Sequence, residues 1–122
     1  MTTNIFITKW FHVFTHPFFL IRHEINNKIE VLAKNISGKV LDFGCGAKPY
    51  APYFIHAKEY IGLDIEKSGH SHEDEKIDVF YDGKKIPFDN DHFDAVFSSE
   101  VFEHIFNLEE ILPEINRVLK PG

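Results

Sequence analysis

The sequence predicts an α/β fold around a parallel, doubly wound sheet, and three observations carry that prediction. A short apolar run, Val40, Leu41 and Phe43, leads straight into Gly44 and Gly46, as a buried strand feeding a glycine turn would. Further strand-like runs alternate with helix-length amphipathic segments, the pattern of βαβ units. An acid, Asp64, closes the second strand-like run, where a βαβ unit brings its tip beside the first turn.

Taken in order, residues 4–21 are rich in aromatics, and Phe6, Trp10 and Phe14 fall at i, i+4 and i+8 on one helical face. Pro17 breaks or restarts that helix, since it cannot donate a backbone hydrogen bond. A second helical pattern runs over about 18–34, with Ile21, Ile25, Ile29 and Leu32 along one face, and Gly38 closes it as a turn. Strands are predicted at about 39–43, 59–63, 77–80 and 93–98. A short helix is expected over 49–56, opened by Pro49, which suits a first helical turn because its missing N–H has no partner there. Such a helix start would aim N–H groups and a positive dipole end at the glycine turn. Residues 66–76 read as a polar loop, and 82–92 as a connection containing Asp-Gly and Ile-Pro-Phe. The last helix is predicted over 108–119, burying Ile111, Leu112, Ile115, Val118 and Leu119, with Pro113 tolerated in its first turns. The chain divides into an aromatic helical cap, 1–37, and the α/β domain, 38–122.

Composition narrows the function. At 122 residues, 43% hydrophobic and 26% charged, the chain has the make-up of one ordinary globular domain. A net charge of −6 with no Lys/Arg cluster argues against nucleic acid as the partner. No segment reaches the roughly 18 consecutive apolar residues of a membrane span. The first residues do not make a signal peptide, because Lys9, His12, His16 and Arg22 interrupt them. The single Cys45 excludes an internal disulfide and fits a cytoplasmic setting. His70 and His72 form an H-x-H pair without an evident third ligand, and His12 with His16 lacks the Glu of a zinc-protease motif, so no metal is expected.

The turn Gly44-Cys45-Gly46-Ala47-Lys48-Pro49 falls short of the dinucleotide fingerprint G-x-G-x-x-G, because Pro49 stands where the third glycine would be. That disfavours NAD or FAD. A carboxylate at Asp64 can still accept from both hydroxyls of a ribose.

In sequence order, several pieces carry a resemblance. They are Val40-Leu41-Asp42-Phe43-Gly44-Cys45-Gly46, Gly62-Leu63-Asp64, Asp82-Gly83 with Ile86-Pro87-Phe88, and Phe93-Asp94-Ala95-Val96. Ser98-Ser99-Glu100-Val101-Phe102-Glu103-His104 and Glu114 through Gly122 complete the set. Over about residues 39–122 the chain resembles the class I S-adenosylmethionine (SAM)-dependent methyltransferases of the L-D-x-G-C-G, methyltransferase-11-like type. The resemblance implies a Rossmann-like fold and SAM as cofactor. It implies that Asp42 reaches the methionine end, that Gly44, Cys45 and Gly46 let the backbone approach it, and that Asp64 with Ile65 holds the ribose. Asp82 would accept from the adenine amino group beside Gly83, and Ser98, Ser99 and Glu100 would line the methionine side. Many relatives carry a third glycine where this chain has Lys48.

Methyl transfer is an in-line displacement, so much of the catalysis can come from positioning. A base is needed only when the acceptor loses a proton. His104, with Glu103, follows the fourth strand and has the pKa range for that role. The other reading of His104 is a cap that orients its loop. Cys45 reads as a small filler within the turn. The aromatic N-terminus is open to three readings: a lid, a packing surface or a membrane-surface helix. The expected acceptor is a small molecule, with no nucleic-acid or membrane partner. The resemblance also implies that strands beyond the fourth, of the usual seven, are missing after Gly122, which leaves the fourth strand's edge uncovered. A homo-oligomer through that edge is one expectation. The alternative to an enzyme is a catalytically silent SAM-binding or interaction module that completes its sheet with a partner chain.

Overall fold

A computed structural model describes residues 17–65, 76–99 and 105–122, with side chains from His23 onward. The expectations for Phe6, Trp10, Phe14, His70 and His72 fall outside these described residues, as do those for Glu100, Glu103 and His104; Ile21 lies on the first helix, ahead of the described side chains.

Helix α1, Pro17–Ala33, is followed by strand β1, Gly38–Phe43, and strand β2, Ala57–Ile65. Strands β3, Val79–Tyr81, and β4, Ala95–Phe97, come next, and helix α2, Leu108–Val118, follows. The strands form one sheet in the order β3-β2-β1-β4, and every pairing is parallel. This is the Rossmann-like half-sheet that the alternating pattern predicts.

Successive residues of β1 point to opposite faces, and the sequence shows what covers each. Leu41 and Phe43 join Leu63, Ile86, Phe93, Ile111, Ile115 and Val118 in a core under α2 and the 82–92 connection. Val40 points the other way, into a smaller core with Ala33 of α1, Tyr50 and Phe54. Both faces of β1 are therefore dry, as a central parallel strand requires. Asp42 shares the Val40 face and is the one buried charged residue among those described.

Four expectations change. No α-helix follows Pro49; only a single 3-10 turn, Ala51–Tyr53, precedes β2. Pro49 restricts Lys48 away from the helical region, Pro52 removes another donor, and β2 already starts at Ala57. The dipole end expected at the turn is thus absent. On α1 the packed face runs through Ile29 and Ala33, leaving Leu32 64% exposed. On α2 the stripe is Ile111, Ile115 and Val118, at i, i+4 and i+7, and Leu112 lies outside it at 51% exposed. Strands β3 and β4 are shorter than predicted, although Leu119 runs parallel beside Phe93, just ahead of β4.

Arg117 and Glu114 fasten the 82–92 connection to α2. The Arg117 guanidinium donates to the carbonyls of Ile86 and Phe88, each at 2.8 Å, while Glu114 accepts from the Ile86 amide at 2.9 Å. That anchorage holds the segment leading out of β3, and with it Asp82 and Gly83, against the sheet.

Candidate functional site: the turn at the carboxyl end of the sheet

Ligands of open parallel sheets sit beyond the carboxyl ends of the strands. The predicted site residues that are described gather there. Asp42, Gly44, Cys45 and Gly46 lie at the end of β1, and Asp64 and Ile65 close β2. Asp82 and Gly83 follow β3, and Ser98 and Ser99 follow β4.

The turn is held by β2. Gly44 and Cys45 donate their amides to the carbonyl of Leu63, at 2.8 and 3.2 Å, and Gly46 donates to Oδ2 of Asp64 at 3.0 Å. Gly44 and Gly46 adopt φ of 73° and 51°, a region glycine enters without strain. A Cβ placed on Gly46 would meet nothing within 4 Å, so the turn faces open space at that residue. Asp64 also takes its neighbour's amide, from Ile65, on Oδ1 at 2.8 Å. An ionised carboxylate accepts about four hydrogen bonds, which leaves Asp64 capacity for two more.

Gly62 explains how the turn folds back so closely. It pairs with Asp42 across the sheet. A Cβ on Gly62 would lie 2.5 Å from Cε of Lys48 and 2.6 Å from Sγ of Cys45. Lys48 itself takes φ 55°, the left-handed conformation that glycine adopts freely. Its ammonium bonds to Asp78, which also accepts the Gly62 amide at 2.8 Å. Although burial pushes the Asp78 carboxyl upward, the Gly62 amide and Lys48 hold it below the usual range.

Asp42 is only 3% exposed, and Tyr60 donates its hydroxyl to Oδ2 of Asp42 at 2.5 Å. Burial pushes the Asp42 carboxyl up to about 6, against the Tyr60 hydrogen bond and the Lys48 charge, with Asp64 adding to the rise. Burial, and then Asp42 itself, pushes the Tyr60 hydroxyl far above its ordinary value, so it remains a donor. Cys45 is buried and its thiol is pushed up to about 12 by burial, then by Asp42 and Asp64. It fills space in the turn and is no nucleophile at neutral pH.

Asp82 caps its own turn: Oδ1 accepts the amides of Lys84 and Lys85 at 2.8 and 2.9 Å, and these bonds, Lys85 first, hold its carboxyl low. Ile65 packs against Gly83, with its Cδ1 3.2 Å from where a Gly83 Cβ would stand. The Gly83 carbonyl accepts Nδ2 of Asn107 at 2.8 Å, tying this turn to the start of α2. Ser98 donates to the Phe43 carbonyl at 3.0 Å and so joins the ends of β1 and β4. Tyr60, Asp78 and Asn107 are parts of the site that the sequence reading did not single out. Tyr60 becomes visible once β1 and β2 are set in register, with Val40 opposite Tyr60 and Asp42 opposite Gly62, and Asp78 once β2 and β3 are, with Leu63 opposite Val79.

A methyltransferase-domain family profile matches residues 41–122, from the β1 apolar run through the last residue of the chain. The chain belongs to that methyltransferase family. It is 34% identical over 98 residues to a phthiotriol/phenolphthiotriol dimycocerosates methyltransferase of Mycobacterium leprae, covering 72% of this chain and 36% of the relative. It is 36% identical over 121 residues to a sterol 24-C-methyltransferase of Gibberella zeae, covering 84% of this chain and 30% of the relative. The methyltransferase chain thus spans about a third of the length of the curated relatives it matches. Among solved structures, a SAM-dependent methyltransferase of Aquifex aeolicus shares the fold. Its TM-score is 0.54 at 23% identity, over 68% of this chain and 51% of that one. No described helix is long and apolar enough to cross a membrane, and no described cluster of His, Cys, Asp or Glu has the makings of a metal site.

Proposed function

We propose that this methyltransferase chain binds SAM over the Gly44–Gly46 turn and serves methyl transfer to a small apolar acceptor. One observation carries the reading: a glycine turn opening onto free space at Gly46, set between the carboxylates of Asp42 and Asp64. SAM bears a sulfonium and an ammonium, and a site with three acids at its rim and the Lys48 charge engaged by Asp78 suits a cationic ligand. When bound, SAM supplies a methyl group activated by the sulfonium.

The chain's own residues do the rest. Asp42 offers its carboxylate to the methionine end, and Asp64 keeps lone pairs for the ribose hydroxyls. Asp82 and Gly83 stand at the adenine side, and Ser98 and Ser99 border the methionine side, where Glu100 is proposed to act with them. Glu103 and His104 are proposed to face the acceptor, with His104 taking a proton where the acceptor must lose one. The phthiotriol/phenolphthiotriol dimycocerosate and sterol acceptors named for the two curated relatives favour an apolar acceptor for this chain.

Calorimetric titration with SAM tests the reading, with Asp64→Ala as control. Saturable binding by the wild type, weakened tenfold or more in the variant, is expected from the loss of two charge-assisted hydrogen bonds. No binding by folded wild-type protein refutes it. Methyl transfer from labelled SAM to a sterol or long-chain phenol, abolished in His104→Ala, tests the acceptor and base assignments separately.

A further inference from the structure

We propose that Tyr60 is the positioning residue of the cofactor site: its hydroxyl clamps Oδ2 of Asp42, so that Oδ1 is the oxygen presented to the cofactor. The proposal rests on the reading that SAM sits over the Gly44–Gly46 turn.

Strand register makes the clamp possible. Val40 pairs with Tyr60 and Asp42 with Gly62, so Tyr60 and Asp42 share one face as diagonal neighbours. Gly62, directly opposite Asp42, contributes no side chain to block the reach. The Tyr60 ring cannot swing away freely. It packs against Phe54 at 5.0 Å, and Phe54 in turn meets Phe97 at 5.2 Å. Phe97 pairs with Asp42 from the β4 side, so an apolar wall closes that flank. A carboxylate in this position has two oxygens and one fixed donor. Without the donor it could rotate, and its charge would lose its main local stabilisation.

The groups facing Asp42 can be named from each side. Tyr60 and Asp64 come from β2, Lys48 and Cys45 from the turn, and Phe97 from β4. Lys48 favours the ionised form but is engaged by Asp78, and Asp64 opposes it. The Tyr60 hydroxyl is the largest of the influences that favour ionisation. Removing it leaves burial less opposed, so Asp42 holds its proton to higher pH.

Tyr60→Phe is the test, because it removes the hydroxyl and keeps the ring against Phe54. Two readouts are followed in the same protein. The first is the Asp42 carboxyl carbon shift, titrated by NMR without cofactor. The second is SAM affinity from pH 5 to 9. The expected result is a higher Asp42 midpoint in Y60F and about a tenfold loss of affinity at pH 7. The loss should shrink toward pH 9, where Asp42 is ionised in both proteins, down to the part that comes from the carboxylate's freed rotation. A merely structural tyrosine would weaken binding equally at every pH and leave the midpoint in place. Wild-type binding with an unmoved midpoint, or with a pH-independent loss, overturns the Tyr60 proposal alone. A wild type that binds no SAM while the midpoint still moves overturns the cofactor reading, and the proposal with it.

Discussion

Replacing Asp42 by Asn should make the protein more stable at neutral pH and worse at holding its cofactor. Asp42 is 3% exposed, and burial raises its carboxyl from 3.8 to about 6. The folded state therefore binds the proton more tightly than the unfolded chain does. Stability from this residue is fully present below about pH 4 and is lost as pH rises through 6. At about 1.4 kcal/mol per unit, a shift of roughly two units is a penalty of about 3 kcal/mol at pH 7. Asn cannot ionise, has nearly the same shape, and still offers an acceptor to the Tyr60 hydroxyl. Denaturant unfolding at pH 7 should place D42N above wild type by about 2–3 kcal/mol, and at pH 4 the two should converge. SAM affinity should fall in the same variant. A D42N protein less stable than wild type at pH 7, or an advantage that persists unchanged at pH 4, would show that burial does not penalise the charged carboxylate.

Further outcomes follow from the turn. Gly62→Ala should cost about 1–3 kcal/mol, because its Cβ would meet Lys48 and Cys45 at 2.5 and 2.6 Å. Adding Cys45→Ala should restore part of that loss in thermal melts. Lys48→Ala and Lys48→Gly both lose the Asp78 contact, but only the glycine relieves the positive φ. K48G should therefore exceed K48A by about 1 kcal/mol in urea unfolding, and equality would argue against strain at this position. The Cys45 thiol, buried and pushed up to about 12, should resist alkylation at pH 8 in the folded protein and react promptly once unfolded.

The sheet was legible because its signals are local. Apolar runs such as Val40–Phe43 and Tyr60–Leu63 mark strands wherever they pack, and Asp64 at a strand tip falls beside the first turn in any parallel βαβ unit. The helix expected after Pro49 failed because periodicity says nothing about room. Thirteen residues separate β1 from β2, and they include the tight turn and two prolines. Leu32 and Leu112 were misassigned for a related reason: a helix with apolar residues on more than one face does not announce which face the sheet will take. The partners of Asp42 and Lys48 depend on non-local facts. Tyr60 reaches Asp42 only in one strand register, and Asp78 reaches Lys48 only because Gly62 is bare. Neither pairing follows from spacing along the chain.

The proposed cofactor lies across the carboxyl ends of β1, β2 and β3. Amide chemical-shift mapping during titration with S-adenosylhomocysteine tests this placement most directly, since it reads position as well as affinity. Saturable shifts are expected at Gly44–Gly46, Asp64–Ile65 and Asp82–Gly83, with the exposed side of α2 around Leu112 unmoved. Saturation without shifts at the glycine turn, or no shifts in a folded protein, would contradict this placement.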